Sequence, residues 1–359
     1  MEYHLTPGPV TVPDFVSAAY QLPVIHHRTS AFTELMREVQ SGLQYMFQTE
    51  HPVVLFSGSG SYAMETALRN LCTPDTRVLV TVNGKFGQRW ADMCRYMGLK
   101  YRKAEAPWGS VAGPAEILKA LEDFPAQVLV ITHCETSTGI QCDLEEVCFA
   151  VRQQYPDMLI VVDSISSAGI VPYYMDAWDI DISLCSSQKA LLNIAGMSGI
   201  AVSQRAERKL RDFEGFYTGD LRMHLKYLES YSVPNTPPSH IMQGVRVYLQ
   251  HLQSEGLPTV WNRVHRNAKV FREKILAAGA EIPGTQLCDT LTAFRFPGTD
   301  TGKLRHYMSS VHQIHAEGGQ DQYAGKYMRI AHFGLWNEAD MLHVADAIIS
   351  GLSTEEANS

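Results

Sequence analysis

The patterning of this chain predicts an α/β fold, with a large domain on a mostly parallel central sheet covered by helices and a smaller C-terminal α/β domain after it. Between Val53 and Ser203 the β-rich runs "VVLF", "RVLVTV", "VLVIT", "LIVVD", "DISLC" and "GIAVS" alternate with helical patterns. Near-continuous apolar strands separated by helices belong to a parallel sheet buried on both faces. A Pro-rich break, "SVPNTPPSH", then gives way to long helices and short strands, the signature of a second body. The chain has 359 residues, 45% hydrophobic and 19% charged, which is enough to bury a sizeable core and too much for one small domain.

Residues 1–20 read as an N-terminal arm, 21–236 as the large domain and 237–359 as the small one. The first strand, "VVLF", runs into "SGSGSYAMETALRNL", where small residues open a helix whose Met64, Ala67, Leu68 and Leu71 share one face. "RVLVTV" ends at Asn83-Gly84, and "VLVIT" leads into "HCETSTG". The next helix begins at Asp143, which makes a capping-box pattern with Glu146; Leu144, Val147, Cys148, Val151 and Tyr155 form the face that should lie on the sheet. "LIVVD" closes on Asp163, and "DISLC" runs directly into "SSQKALLN", which contains Lys189. Past the break come helices at about Ile241 to Ser254 and Thr259 to Ala278. They are followed by "TAFRF", a helix near Lys303, "QIHAE", "YMRIAHF", a last helix from Glu338 and the polar tail "STEEANS", expected to fray.

The formal charge of −8 comes without acidic blocks or any Lys/Arg run able to follow a phosphate backbone, so nucleic acid is not an expected partner. Seven cysteines, odd in number and free of C-x-x-C pairs, argue against a disulfide framework and against a zinc site, and fit a reducing cytoplasm. The N-terminus "MEYHLTPGPV" shows no export signal, and no window reaches the apolar length of a membrane span.

Lysine is almost never buried unless it is paired or covalently used, so Lys189 at the end of a buried strand needs a reason. A snorkelling surface lysine is the plain alternative. Asp163, also at a strand end, points toward the crevice where open α/β sheets bind ligands, although Asp commonly caps the following turn. The helix start at Ser59, Gly60 and Ser61 suits a phosphate, with backbone N–H groups, the positive end of the helix dipole and two hydroxyls facing it. A tight turn with Ser as cap is the plain reading there. Gly58-x-Gly60-x-x-Ala63 also approaches a dinucleotide fingerprint, but that reading requires an acid at the end of the next strand, which instead ends in Asn83-Gly84. Together, phosphate cradle, carboxylate and lysine at successive strand ends meet the needs of pyridoxal 5'-phosphate (PLP): an anchored phosphate, a Schiff-base lysine and an acid for the pyridine nitrogen. Lys189 would then be both anchor and general base, and an ionised Asp163 would keep the ring nitrogen protonated.

"LTPGPVTVP", "HHRTSAF", "SGSGSYAMET", "NGKFGQRW", "HCETSTGI", "VDSISSAG", "SSQKAL" and "MRIAHFG" occur in that order from Leu5 to Gly334. They resemble the class V aminotransferases of PLP fold type I, closest to the alanine/serine–glyoxylate (or pyruvate) branch and near the 2-aminoethylphosphonate–pyruvate transaminases. The resemblance implies Lys189 as Schiff-base lysine and Asp163 as pyridinium partner, with Ser59, Gly60 and Ser61 around the phosphate. It implies Thr136 and Gln188 on the phenolic side of the ring, and Phe86 stacked on its face where the family often has Trp. Arg329 would hold the substrate carboxylate, Gly8 would belong to the substrate site, and Thr236 would reach the phosphate in a partner subunit of a homodimer. Tyr231 does not match the position of the family's tyrosine and is left out.

Other residues attract attention without fitting a site. The adjacent His26 and His27 resemble the "HHR" or "GHR" of the glyoxylate branch but find no third metal ligand, and read as loop packing. Cys288 would suit a desulfurase nucleophile, yet such enzymes place His before the lysine where this chain has Gln188. The expected activity is a ping-pong transamination from alanine or serine to glyoxylate or pyruvate. The alternatives are a 2-aminoethylphosphonate–pyruvate transaminase, which "HCETSTG" favours, a desulfurase-like lyase, and a binding protein that keeps the fold without the reaction.

Overall fold

The computed structural model describes residues 2–211 and 216–353, so the expected tail lies outside the described residues from 354 onward. Its strands in chain order are β1 (Tyr3–His4), β2 (Val53–Ser57), β3 (Arg77–Val82), β4 (Lys100–Glu105), β5 (Val128–Thr132), β6 (Cys134–Glu135) and β7 (Ile140–Gln141). They continue as β8 (Leu159–Asp163), β9 (Ile182–Ser186), β10 (Met197–Val202), β11 (Leu291–Phe294), β12 (Ile314–His315), β13 (Glu317–Gly318) and β14 (Met328–Ala331). The α-helices are α1 (Asp14–Ser17), α2 (Ser30–Phe47), α3 (Gly60–Leu71), α4 (Lys85–Tyr96), α5 (Pro114–Asp123) and α6 (Leu144–Gln154). Then come α7 (Gln204–Lys209), α8 (Leu221–Leu228), α9 (Ser239–Glu255), α10 (Leu257–Ala277), α11 (Thr301–His312) and α12 (Glu338–Leu352).

Seven strands form the central sheet in the order β2-β10-β9-β8-β5-β3-β4. Only β10 runs against the others, antiparallel to β2 and β9. Each long strand feeds two cores, because alternate side chains point to opposite faces. Leu79, Leu129, Ile131, Ile160 and Val162 pack on one side, and Val78, Val80, Val128, Val130, Leu159 and Val161 on the other. Burial of this kind explains why these strands read as unbroken apolar runs. β4, "KYRKAE", escapes such a reading because it is an edge strand, hydrogen-bonded to β3 alone and exposed along much of its length. The Asp143 carboxylate accepts from the Glu146 amide at 3.0 Å and so starts α6, whose Leu144, Val147, Cys148 and Val151 are buried as the periodicity requires.

A third apolar cluster, around Phe271, Phe294, Met308, Ile330, Val344 and Ile348, forms the core of the second body and its three-stranded sheet β11-β14-β13. By packing, α9 belongs with the first body: Met242, Val245, Leu249 and Leu252 join the core that holds α2. At the contact, a Cβ on Gly42 would lie 2.6 Å from that of Leu249, so only glycine admits this close approach. Helix α10 serves both bodies, with Val260 and Val264 in the first core and Phe271 and Ile275 in the second.

The cysteines correct one expectation. Cys134 and Cys288 are paired in a disulfide, with a sequence separation of 154 and Cα atoms 6.1 Å apart. The fold creates this pair by laying the 286–288 loop along β7, through the Gln141 amide on Gln286 O (2.8 Å) and the Cys288 amide on Gly139 O (2.9 Å). No sequence spacing announces a contact of that kind. The other described cysteines are buried thiols, and the disulfide removes the cysteine-count argument for a reducing compartment. Among the described residues no helix is long and apolar enough to cross a membrane.

Candidate active site

At the carboxyl ends of β2, β5, β8 and β9 a cleft is lined by Ser59, Gly60, Ser61, Phe86, Thr136, Asp163, Gln188 and Lys189. All eight are residues singled out from the sequence. Parallel strands deliver them to one rim because each strand end turns directly into the next loop or helix.

Helix α3 begins the site. Ser59 sits at its N-cap with extended backbone, yet its side chain makes no capping bond. The plain reading of Ser59 as a cap therefore fails, and the first-turn amides of α3 keep no side-chain acceptor, the condition for holding an anion. Gly60 admits Ile165 close by: a Cβ there would meet Ile165 Cδ1 at 2.6 Å. Arg89, from α4, donates to Ser61 Oγ at 3.1 Å and lies 4.7 Å over the Phe86 ring, adding positive charge to the same corner.

Phe86 owes its position to Glu135. That buried carboxylate accepts from the Phe86 and Gly87 amides at 2.9 and 3.0 Å, capping α4, and from Ser137 N and Oγ at 3.1 and 2.5 Å. Burial raises the Glu135 carboxyl above its ordinary range while these donors pull it back.

Asp163 is buried with both oxygens engaged: Oδ2 accepts from Trp90 Nε1 and Oδ1 from the Ile165 amide, each at 3.2 Å. Burial pushes its carboxyl up, opposed by those two donors and then by the charges of Arg89 and Lys189. The Ile165 bond is the turn-capping role, so Asp163 caps and faces the cleft at once. Lys189 lies across the cleft with its amine donating to Pro7 O at 2.5 Å. Gly8 (φ +123°) packs on this side chain so closely that a Cβ would come within 2.4 Å of Lys189 Cδ. Burial, then the Arg329 guanidinium, lowers the lysine amine to about 8.

That shift gives a direct expectation. In the cofactor-free protein, with its pKa near 8, the Lys189 amine should react with acetic anhydride in competitive labelling with a midpoint near pH 8. Ordinary lysines titrate at about 10.4. The sign follows from burial, which disfavours the charged form, so the neutral nucleophile becomes abundant in mildly alkaline solution, well below the range of an ordinary lysine. A midpoint above 10 for the Lys189 peptide, read by mass spectrometry, would contradict it.

Ser186 Oγ donates to Gln188 Oε1 at 2.5 Å, which orients that amide. Arg329, on β14 and only 4% exposed, donates from Nε to Gly318 O (2.8 Å) and from Nη1 to Thr136 O (3.1 Å). Two backbone carbonyls thus aim the guanidinium while the end of the fork, at Nη2 and the second Nη1 hydrogen, stays available. Thr236 stands apart, in a separate cavity of about 250 Å³ with Tyr62, His224 and Asn235. His26 and His27 stack on each other at 4.7 Å in their loop, and His26 Nδ1 accepts from the Arg28 amide. Cys288 is fully buried in its disulfide, unlike a nucleophile on a mobile loop. Sequence reading missed Glu135, Arg89 and Trp90 as site residues, although "NGKFGQRW" and "HCETSTG" contain them.

These residues fit PLP by their chemistry: uncapped amides for a phosphate, a buried carboxylate and a depressed amine. Thr132 Oγ1, buried on the cleft wall without a partner, is a further polar group to satisfy. The free cleft is narrow, about 70 Å³, and Lys189 on its wall reaches the Pro7 carbonyl.

Comparison with known proteins agrees with this geometry. Residues 14–333 match the family described as aminotransferase class-V. The chain is 30% identical to the "soluble hydrogenase, small subunit" of a Synechococcus strain, over 96% of this chain and 91% of that one. It is 30% identical to the L-aspartate–glyoxylate aminotransferase of Paracoccus denitrificans, over 98% and 89%. The solved alanine–glyoxylate aminotransferase of a Nostoc species superposes with a TM-score of 0.93 at 31% identity, covering 98% of this chain and 95% of that one. With the family matched over nearly the whole chain and the cleft equipped as described, this protein belongs to the PLP-dependent class V aminotransferases.

Proposed function

We propose that the protein moves an amino group from alanine or serine to glyoxylate or pyruvate in two half-reactions at one site. The carrying observation is that the depressed Lys189 amine and the buried Asp163 carboxylate line one cleft, while the Arg329 guanidinium is held on the backbone of the cleft residue Thr136, near enough for its charge to lower that amine. When bound, PLP supplies an electron sink for the electrons left on the substrate's α-carbon as its proton departs. Lys189 Nζ anchors the cofactor and, once released, carries that proton between carbon centres. Asp163, held by Trp90 and Ile165, presents negative charge to the pyridine nitrogen. The α3 amides with Ser59, Gly60 and Ser61, aided by Arg89, hold the phosphate. Phe86 stacks on the ring, while Thr136 and the free amide hydrogens of Gln188 serve its phenolic oxygen. Gly8 leaves room for the lysine to move, and Arg329 takes the carboxylate common to donor and acceptor. Thr236, outside its own chain's Lys189 cleft, serves the phosphate of a second copy in a homodimer. Glyoxylate as acceptor is supported by the names of two relatives, whose donors, aspartate and alanine, differ.

A panel of amino donors against glyoxylate and pyruvate tests the substrate reading, together with Arg329→Lys, which keeps the charge but loses the planar fork. In that variant kcat/KM for alanine and for glyoxylate should each fall roughly 10- to 100-fold, the worth of one or two charge-assisted hydrogen bonds. The absorbance of the bound cofactor should not change. Rates unchanged from the parent in both half-reactions would remove Arg329 from the substrate site and reopen the binding-protein reading. A panel in which aspartate reacts and alanine and serine do not would overturn the proposed donors.

A further inference from the structure

We propose that Glu2, His4 and His315 form a surface site for a divalent cation of the zinc class. β1 pairs in parallel with β12 in a register that sets His4 directly opposite His315. Side-chain alternation puts Glu2 on the same face of the strand as His4. Donors from opposite ends of the sequence therefore converge at one point. Glu2 Oε1 lies 2.7 Å from His315 Nε2 and 3.5 Å from His4 Nε2, and the two imidazoles stack at 4.5 Å with 11° between their planes. All three ligand atoms lie within 4.8 Å of one another, and among the described residues no other group of His, Cys, Asp or Glu converges in this way.

The distances suit a metal. A tetrahedral ion with bonds of about 2.0–2.1 Å separates its ligand atoms by roughly 3.3 Å. The Glu2–His4 edge already has nearly that length, and the Glu2–His315 edge must open by only about 0.6 Å to reach it. An exposed carboxylate can make that adjustment, and the stacked rings must turn out of parallel, because each ring nitrogen's lone pair lies in its own ring plane; His4, itself exposed, has the freedom to do so. Two imidazoles and one carboxylate, with water in the fourth position, are a donor set for Zn²⁺ and for Ni²⁺ or Cu²⁺, whereas Mg²⁺ and Ca²⁺ require oxygen ligands. Glu2 and His4 also line a cavity of about 550 Å³ shared with Pro13, Trp336 and Asp340, which gives an ion its route in.

An ion here would tie the N-terminal strand to the second body. The residues that follow carry the tie inward: Leu5 O accepts from the Ala331 amide, and Pro7 O accepts from Lys189. The site uses no group assigned to the cofactor or substrate.

The test is calorimetric titration of zinc chloride into the untagged, full-length, cofactor-loaded protein. One equivalent per chain should bind with a dissociation constant on the order of 10 µM or tighter, about −7 kcal/mol. His4→Ala and His315→Ala should each weaken binding about tenfold or more, roughly 1.4 kcal/mol, while removal of an exposed histidine elsewhere, His306→Ala, should leave it unchanged. Zinc should also slow amide exchange at Tyr3 and Leu5, whose N–H groups donate to Gln313 O and His315 O, in the parent and not in His4→Ala. Binding of equal strength in the His4→Ala/His315→Ala double variant, or no binding up to millimolar zinc, would overturn the site.

Discussion

Lys189→Ala is expected to fold normally, retain cofactor affinity in part and lose multiple-turnover transamination, by at least about 10³-fold in kcat, within the span of general acid–base contributions. The size follows from two duties resting on one atom. On the proposed reading the amine is the covalent anchor and, with its pKa lowered to about 8, also the base that takes the substrate proton and returns it. The α3 amides and Phe86 do not depend on the lysine, so the phosphate and ring contacts should survive. Borohydride reduction of the parent should fix the cofactor to the peptide containing Lys189, and that adduct should vanish in the variant. Labelling of a different lysine would overturn the assignment.

Asp163→Asn is expected to cost about 10²- to 10³-fold in kcat, the usual loss when one preorganised electrostatic contact is removed. It should also lower stability. Both carboxylate oxygens accept from N–H groups, Trp90 Nε1 and the Ile165 amide, so an asparagine must turn its NH₂ toward one of these donors. A mismatch of that kind in a fully buried place costs about 1–3 kcal/mol, readable as a fall in melting temperature. Trp90→Phe separates the two effects, because it keeps the charge of Asp163 and removes one donor; its loss of rate should be much the smaller. Near-normal turnover in Asp163→Asn would mean that another acid serves the pyridine.

What the sequence disclosed of this molecule depended on how each part is held. Strands β2, β3, β5, β8, β9 and β10 were legible because burial on both faces favours apolar residues at most positions. β4 was not, since an edge position tolerates "KYRKAE". The reversed direction of β10 leaves no trace in periodicity, which is the same for either orientation. The cleft residues stood out where they sit at strand ends. Glu135 and Trp90, by contrast, act on Phe86 and Asp163 across contacts that exist only after folding. The disulfide belongs to that second class as well, since Cys134 and Cys288 meet only when the 286–288 loop is laid along β7.

Helix α10 carries one more consequence. Its 21 residues place Val260 and Val264 in one apolar core and Phe271 and Ile275 in the other. If the second body melted alone, half of this rod would lose its seat while the other half stayed fixed, and breaking a helix in mid-length forfeits backbone hydrogen bonds with no compensating burial. The two bodies should therefore unfold as a single cooperative unit, seen as one transition in calorimetry. A fragment cut at residue 237 would inherit α9 with its apolar face stripped of α2, and would be prone to self-association instead of standing as a free domain.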